Sequence, residues 1–75
     1  MTEKRPFDVL NSALQNTVVV GLKGGKEFRG IMVAYDVHMN IVLEKGEELE
    51  NGNVKRGVGT ILLRGDTVVY IMPSK

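Results

Sequence analysis

The sequence predicts a small, mainly β domain: one short leading helix, then five short strands folded as a strongly bent antiparallel sheet or barrel. Three observations predict it. Apolar and β-branched runs of strand length recur from Thr17 to Met72. Gly24-Gly25 and Asn51-Gly52 stand between such runs, where hairpin turns require positive φ. A further glycine, Gly30, falls inside a run, where a strand must bulge or bend sharply.

A chain of 75 residues makes one domain, 1–75, with a thin core; its 43% apolar and 25% charged residues are ordinary for a globular protein. With no cysteine it has neither disulfide staples nor thiolate metal ligands. At this size oligomerisation is then the usual source of stability. No apolar run approaches the roughly 20 residues of a membrane helix. The opening Met1-Thr2-Glu3-Lys4-Arg5-Pro6 lacks the apolar region of a signal peptide. The expectation is a soluble, cytoplasmic protein without a membrane partner. A net charge of +1 gives no general basic footprint for duplex nucleic acid, yet leaves room for a few charges concentrated by symmetry.

The helix is predicted over Pro6 to Asn16. Proline suits the first helical position, Asp8 suits the positive end of the dipole, and Phe7, Leu10 and Leu14 recur on one face, broadened by Val9 and Ala13. Helices shorter than ~12–15 residues do not persist alone, so this one must lie on the sheet. The first strand is Thr17–Leu22, closed by a two-residue Gly24-Gly25 turn rather than a phosphate-binding loop, since no helix follows. The second is Glu27–Tyr35, polar-out at Glu27 and Arg29 and then apolar on both faces past Gly30. The third is Asn40–Glu44. The stretch from Lys45 to Asn53 is acidic and polar and reads as a solvated loop turning at Asn51-Gly52. The fourth strand is Val54–Arg64 and the fifth Thr67–Met72, stopped by Pro73, which gives a barrel over about 17–72.

The fifth strand carries no charge and no proline between Thr67 and Met72. An exposed edge is normally blunted by such residues, because its free N–H and C=O groups template pairing with another chain. Either this strand is central in a closed monomeric barrel, or a neighbouring subunit consumes its edge, head to tail, until a ring closes. The short chain favours the ring.

Two polar clusters interrupt the strands. Tyr35-Asp36-Val37-His38-Met39-Asn40 holds the only histidine, and Arg64-Gly65-Asp66 separates the last two strands. On residue chemistry alone both read as turns. Together they carry a family resemblance. Asp36-Val37-His38-Met39-Asn40 after Phe28-Arg29-Gly30 resembles the first Sm motif, and Ile61-Leu62-Leu63-Arg64-Gly65-Asp66 resembles the second, with a variable spacer at Glu44–Asn53. The resemblance spans the whole chain and is closest to the archaeal Sm-like (LSm) type.

The resemblance implies a helix-capped, five-stranded open barrel of the SH3-like Sm fold. It implies rings, in archaea usually homoheptamers, built by pairing fourth and fifth strands of neighbours. It further implies binding of single-stranded uridine-rich RNA at the inner rim, as a ribonucleoprotein core in RNA metabolism, through His38, Asn40, Arg64, Gly65 and Asp66. His38 and Arg64 are planar and can sandwich a base. Asn40 offers an acceptor and a donor side by side, matching N3–H and O4 of uracil. Cytosine inverts that pattern, so selectivity needs the amide locked, by Asp36 or by Asp66. The Gly65 backbone N–H can then reach a second carbonyl of the base, while Met39 packs inward.

No cofactor, metal or small-molecule substrate is implied. One histidine is too few for a zinc site; Asp36 can orient the His38 imidazole, but with no cysteine and no nearby serine the pair lacks a nucleophile, so no enzyme is expected. The rival reading is a protein-docking scaffold that uses the strand edges or the acidic Glu47–Glu50 segment.

Overall fold

Hairpins between neighbouring runs generate most of the architecture. A computed structural model describes residues 5–73. Helix α1 (Pro6–Ala13) precedes strands β1 (Thr17–Leu22), β2 (Glu27–Tyr35), β3 (Ile41–Glu50), β4 (Asn53–Leu63) and β5 (Val68–Pro73). All pairings are antiparallel in one sheet ordered β4-β3-β2-β1-β5, which leaves β4 and β5 as its two edges. The sheet is therefore an open barrel, and β5 is an edge rather than a central strand.

Alternation places the core. Val18 and Val20 of β1, Phe28 and Met32 of β2, Ile41 and Leu43 of β3 and Leu63 of β4 are buried, with Ala13 of α1 laid across them. Each such aliphatic or aromatic side chain contributes roughly 1.5–3 kcal/mol by leaving water. Bending needs close backbone approach. Added to Gly30, a Cβ would lie 3.0 Å from the Glu44 carbonyl oxygen and 3.1 Å from the Gly46 Cα, and the β2–β3 register shifts between Arg29 and Ile31. The expected bend at Gly30 is thus a bulge.

Four expectations need correction. The helix stops at Ala13, not Asn16: Leu14 is already extended, Gln15 has a φ of 67°, and Gln15 N–H donates to the Met32 carbonyl at 2.7 Å. The backbone of residues 15 and 16 is captured by β2, while the Asn16 amide donates to the Ser12 carbonyl at 3.0 Å. The Gly24-Gly25 connection is a 3-10 turn over Lys23–Gly25 rather than a two-residue turn, although both glycines do have positive φ, 85° and 87°. Strand boundaries move by a residue: β3 begins at Ile41, β4 runs Asn53–Leu63, and β5 runs Val68–Pro73 with Pro73 paired to Val18.

The largest correction concerns the acidic stretch. It is not a solvated loop, because β3 continues through it to Glu50 and only Asn51-Gly52, both at positive φ, form the turn. Lys45 at φ 52° absorbs the bend. Two of its charges are paired within the sheet: Arg29 donates to Glu47 at 2.8 Å, and Arg56 donates to Glu48 at 2.9 Å. Glu48 is only 4% exposed, so its partner is required. This removes the acidic segment as a free docking loop.

The edges stay apolar. Val69, Tyr70 and Met72 on β5, and Leu62 on β4, are exposed, with Val69 at 60% and Leu62 at 61%. Tyr70 packs over Gly21, where no side chain fits, and its hydroxyl donates to the Glu27 carboxylate. That contact fixes β5 to the sheet on one side and leaves the other side open.

Candidate nucleic-acid interface

The turn between β2 and β3 is organised by one carboxylate. Asp36 Oδ1 accepts from the backbone N–H of His38 at 2.9 Å and of Asn40 at 3.1 Å, and Asp36 Oδ2 accepts from Asn40 Nδ2 at 3.0 Å. The Asp36 carbonyl accepts from Met39 N–H, and Met39 takes the left-handed conformation with φ 64°. Met39 is half-buried and packs on the core, as expected, while His38 is exposed.

The β4–β5 connection is a 3-10 turn over Gly65–Thr67, in which Thr67 Oγ1 donates to the Arg64 carbonyl at 2.7 Å. Arg64 donates to Asp66 at 3.0 Å, with both side chains mostly exposed. This pair is worth little to stability. Its effect is to hold the guanidinium beside the turn.

The two turns meet at Gly65. A Cβ there would lie 1.7 Å from the His38 carbonyl oxygen, so only glycine permits the contact. Gly65 N–H donates to Asn40 Oδ1 at 2.7 Å. The Asn40 amide is consequently held in one orientation. A carboxylate can only accept, so Nδ2 faces Asp36; an N–H can only donate, so Oδ1 faces Gly65. One N–H and one lone pair of the amide remain beyond these two bonds.

His38, Asn40, Arg64, Gly65 and Asp66 together line a cleft of about 380 Å³. All the residues named for the site from sequence are thus brought together, with Asp36 bracing from outside and Met39 behind. The locking residue is Asp36, not Asp66, which is engaged with Arg64. The Gly65 N–H is not free for a base, because it serves as the second half of the lock. Sequence reading missed an apolar groove between α1 and β5, lined among others by Val9, Leu10 and Val69. Its signal was present: α1 carries more apolar residues than a single buried stripe needs.

The Asn40 bond, reinforced by the backbone N–H groups of Asn40 and His38, holds the Asp36 carboxyl below its ordinary value near 3.8. A depressed carboxyl contributes order that is fully present above that ordinary value and is lost as pH falls through the folded-state value. The Asn40 side-chain amide signals in NMR are expected to hold their shifts down to pH 3.8 and to collapse toward free-amide positions only below it. Collapse well above that pH would show that Asp36 does not hold the loop.

Among the described residues no group of three or more His, Cys, Asp or Glu side chains is arranged to hold a metal ion. Among the same residues no helix is long and apolar enough to cross a membrane. Both Asp36 oxygens accept within the loop, and among the described residues the His38 imidazole is not a hydrogen-bond partner of Asp36.

An open five-stranded barrel with two apolar edges and a polar cleft between paired turns defines a subunit of the Sm fold class. Comparison with known proteins agrees. The chain belongs to the LSM domain family, whose match covers residues 8–73. An Sm-like protein of Archaeoglobus fulgidus is 56% identical over 70 residues, covering 93% of this chain and 91% of that one. Among solved structures, the Pyrococcus abyssii Sm protein in complex with a uridine heptamer superposes with a TM-score of 0.89 at 44% identity, covering 95% of this chain and all of the other (100%). The P. aerophilum SmAP1 heptamer gives a TM-score of 0.88 at 34% identity over 99% of each chain.

Proposed function

We propose that the chain assembles into a homoheptameric ring through pairing of β4 with a neighbour's β5, and that the ring binds single-stranded uridine-rich RNA at its inner rim. It acts as an RNA-binding core of ribonucleoproteins in RNA metabolism, in the cytoplasm, as a binding protein and not as an enzyme. The observation that carries this is the locked Asn40 amide, within one cleft with His38, Arg64, Gly65 and Asp66. The relatives support it: one is seen with a uridine heptamer and another as a heptamer.

In this reading a base slides between His38 and Arg64, and stacking contributes about 1–3 kcal/mol per base. The free N–H and lone pair of Asn40 meet O4 and N3–H of uracil. Cytosine would need the amide reversed, which breaks the bonds to Asp36 and Gly65. Losing them costs about 1–3 kcal/mol, because a hydrogen bond to a charged group and one to a part-buried N–H are given up. Each cleft is weak, and a ring repeats it, so a short uridine run binds with high effective concentration.

The test is binding of oligo(U), oligo(C) and oligo(A) of equal length at one salt concentration. Oligo(U) is expected to bind at least about tenfold more tightly than oligo(C), the equivalent of ~1.4 kcal/mol. Equal affinities would show that Asn40 does not read the base.

A further inference from the structure

The base cleft has an apolar back wall. The groove between α1 and β5 measures about 440 Å³ and is lined by Val9, Leu10, Met39, Gly65, Val69 and Ile71 among others. Gly65 lines both cavities. Of these two cavities Met39 lines the groove and not the cleft, while the residues on either side of it, His38 and Asn40, line the cleft and not the groove. No slack separates the two: the Gly65 backbone lies against the backbone of His38 and Met39, where an added Cβ would stand 1.7 Å and 2.9 Å from their atoms. Whatever fills the groove therefore presses on the one residue that sits between the stacking and reading side chains.

The groove is continuous with the open edge of β5, since Val68–Ile71 form one of its walls. The other open edge is β4, whose Leu62 is 61% exposed. Among the described residues no charged side chain lines the groove, so these residues suit an apolar strand. In the proposed ring the neighbour's β4, which carries Leu62, reaches this groove along β5, and we propose that Met39 is the positioning residue through which that neighbour sets the geometry of the base cleft. The inference rests on the RNA-binding reading and deepens it: subunit packing and nucleobase binding are coupled, and by linkage each strengthens the other.

Uridine monophosphate separates this coupling from simple bridging, because one nucleotide cannot tie two subunits together. Isotopically light and heavy rings are mixed, and subunit exchange is followed by native mass spectrometry with and without saturating uridine monophosphate. His38 ring signals in NMR report binding independently. The expected result is exchange slowed at least about fivefold when the nucleotide is bound, the lower end of ordinary coupling between sites. Met39→Ala is expected to bind the nucleotide more weakly and to show less than about a twofold slowing, with Met39→Leu restoring the wild-type response. Leu10→Ala, which trims the helix wall of the same groove, is expected to speed exchange equally with and without nucleotide and so to retain the slowing. Binding at His38 without slower exchange, or full slowing in Met39→Ala, overturns the coupling and leaves the RNA reading standing. If Met39→Ala does not assemble, the wild-type comparison decides alone. Absence of any binding at His38 overturns the RNA reading and the coupling with it.

Discussion

Replacing Asn40 by alanine is expected to lower oligo(U) affinity by at least about a hundredfold while the barrel stays folded. The size follows from how much one side chain does. Asn40 is the proposed reader of the base edge, and it is also the only side chain that accepts from Gly65 N–H and donates to Asp36 Oδ2 among the described residues. Its loss leaves the part-buried Gly65 N–H without a partner and frees the two turns to separate. A loss of about 1 kcal/mol per cleft, at the low end for a stacked base, already exceeds a hundredfold when three clefts engage one RNA. Stability should fall by no more than about 1–3 kcal/mol, the cost of those two bonds, because Asn40 lies outside the buried core. Fluorescence anisotropy with labelled oligo(U) and a thermal melt check both halves. Affinity within threefold of wild type would remove Asn40 from the site.

Val69→Lys is expected to give a folded monomer that binds uridine runs more weakly by about 10²–10⁴, the range over which linked sites exceed single ones. Val69 is 60% exposed at the outer edge of β5, so the isolated subunit can hold a lysine there with its ammonium in water. The neighbour's β4 cannot. A lysine in a strand edge is a natural barrier to edge pairing, and this edge lacks one. Sedimentation measures the oligomeric state and the same anisotropy assay the affinity. Rings that survive the substitution, or monomers that keep full affinity, would contradict the assembly and avidity arguments respectively.

Legibility in the sequence followed how local each determinant is. β1 and β2 were placed to the residue because alternation and the flanking glycines are local signals. The bulge at Gly30 was readable for the same reason. The end of α1 was not. Leu14 continues the apolar stripe, and what stops the helix is Met32, which bonds Gln15 and Asn16 from across the fold. Lys45–Glu50 misread as loop because Glu47 and Glu48 are paired by Arg29 and Arg56, residues the local window does not contain. Glu48 sits buried for that reason.

The site divides along the same line. The five cleft residues were legible as two motifs, and the open β5 edge was legible from the missing charges between Thr67 and Met72. The division of labour inside the cleft was not. The Gly65 N–H looked available to a base and the lock stood open between Asp36 and Asp66; the fold instead spends Asp36 and the Gly65 N–H on Asn40, which makes Asn40 an aimed group and not a free one. For the groove behind Met39, the surplus apolar residues of α1 were readable, but which strand they face, β5, is a tertiary choice that no short motif encodes.

Native mass spectrometry of the protein mixed with heptauridine tests the central claim most directly, because it reads subunit number and RNA stoichiometry together. The prediction is seven of the 8.3 kDa chains with one RNA bound, and loss of that RNA in the Asn40→Ala ring. Monomers as the RNA-binding species, or heptamers that hold the RNA unchanged after Asn40→Ala, would contradict it.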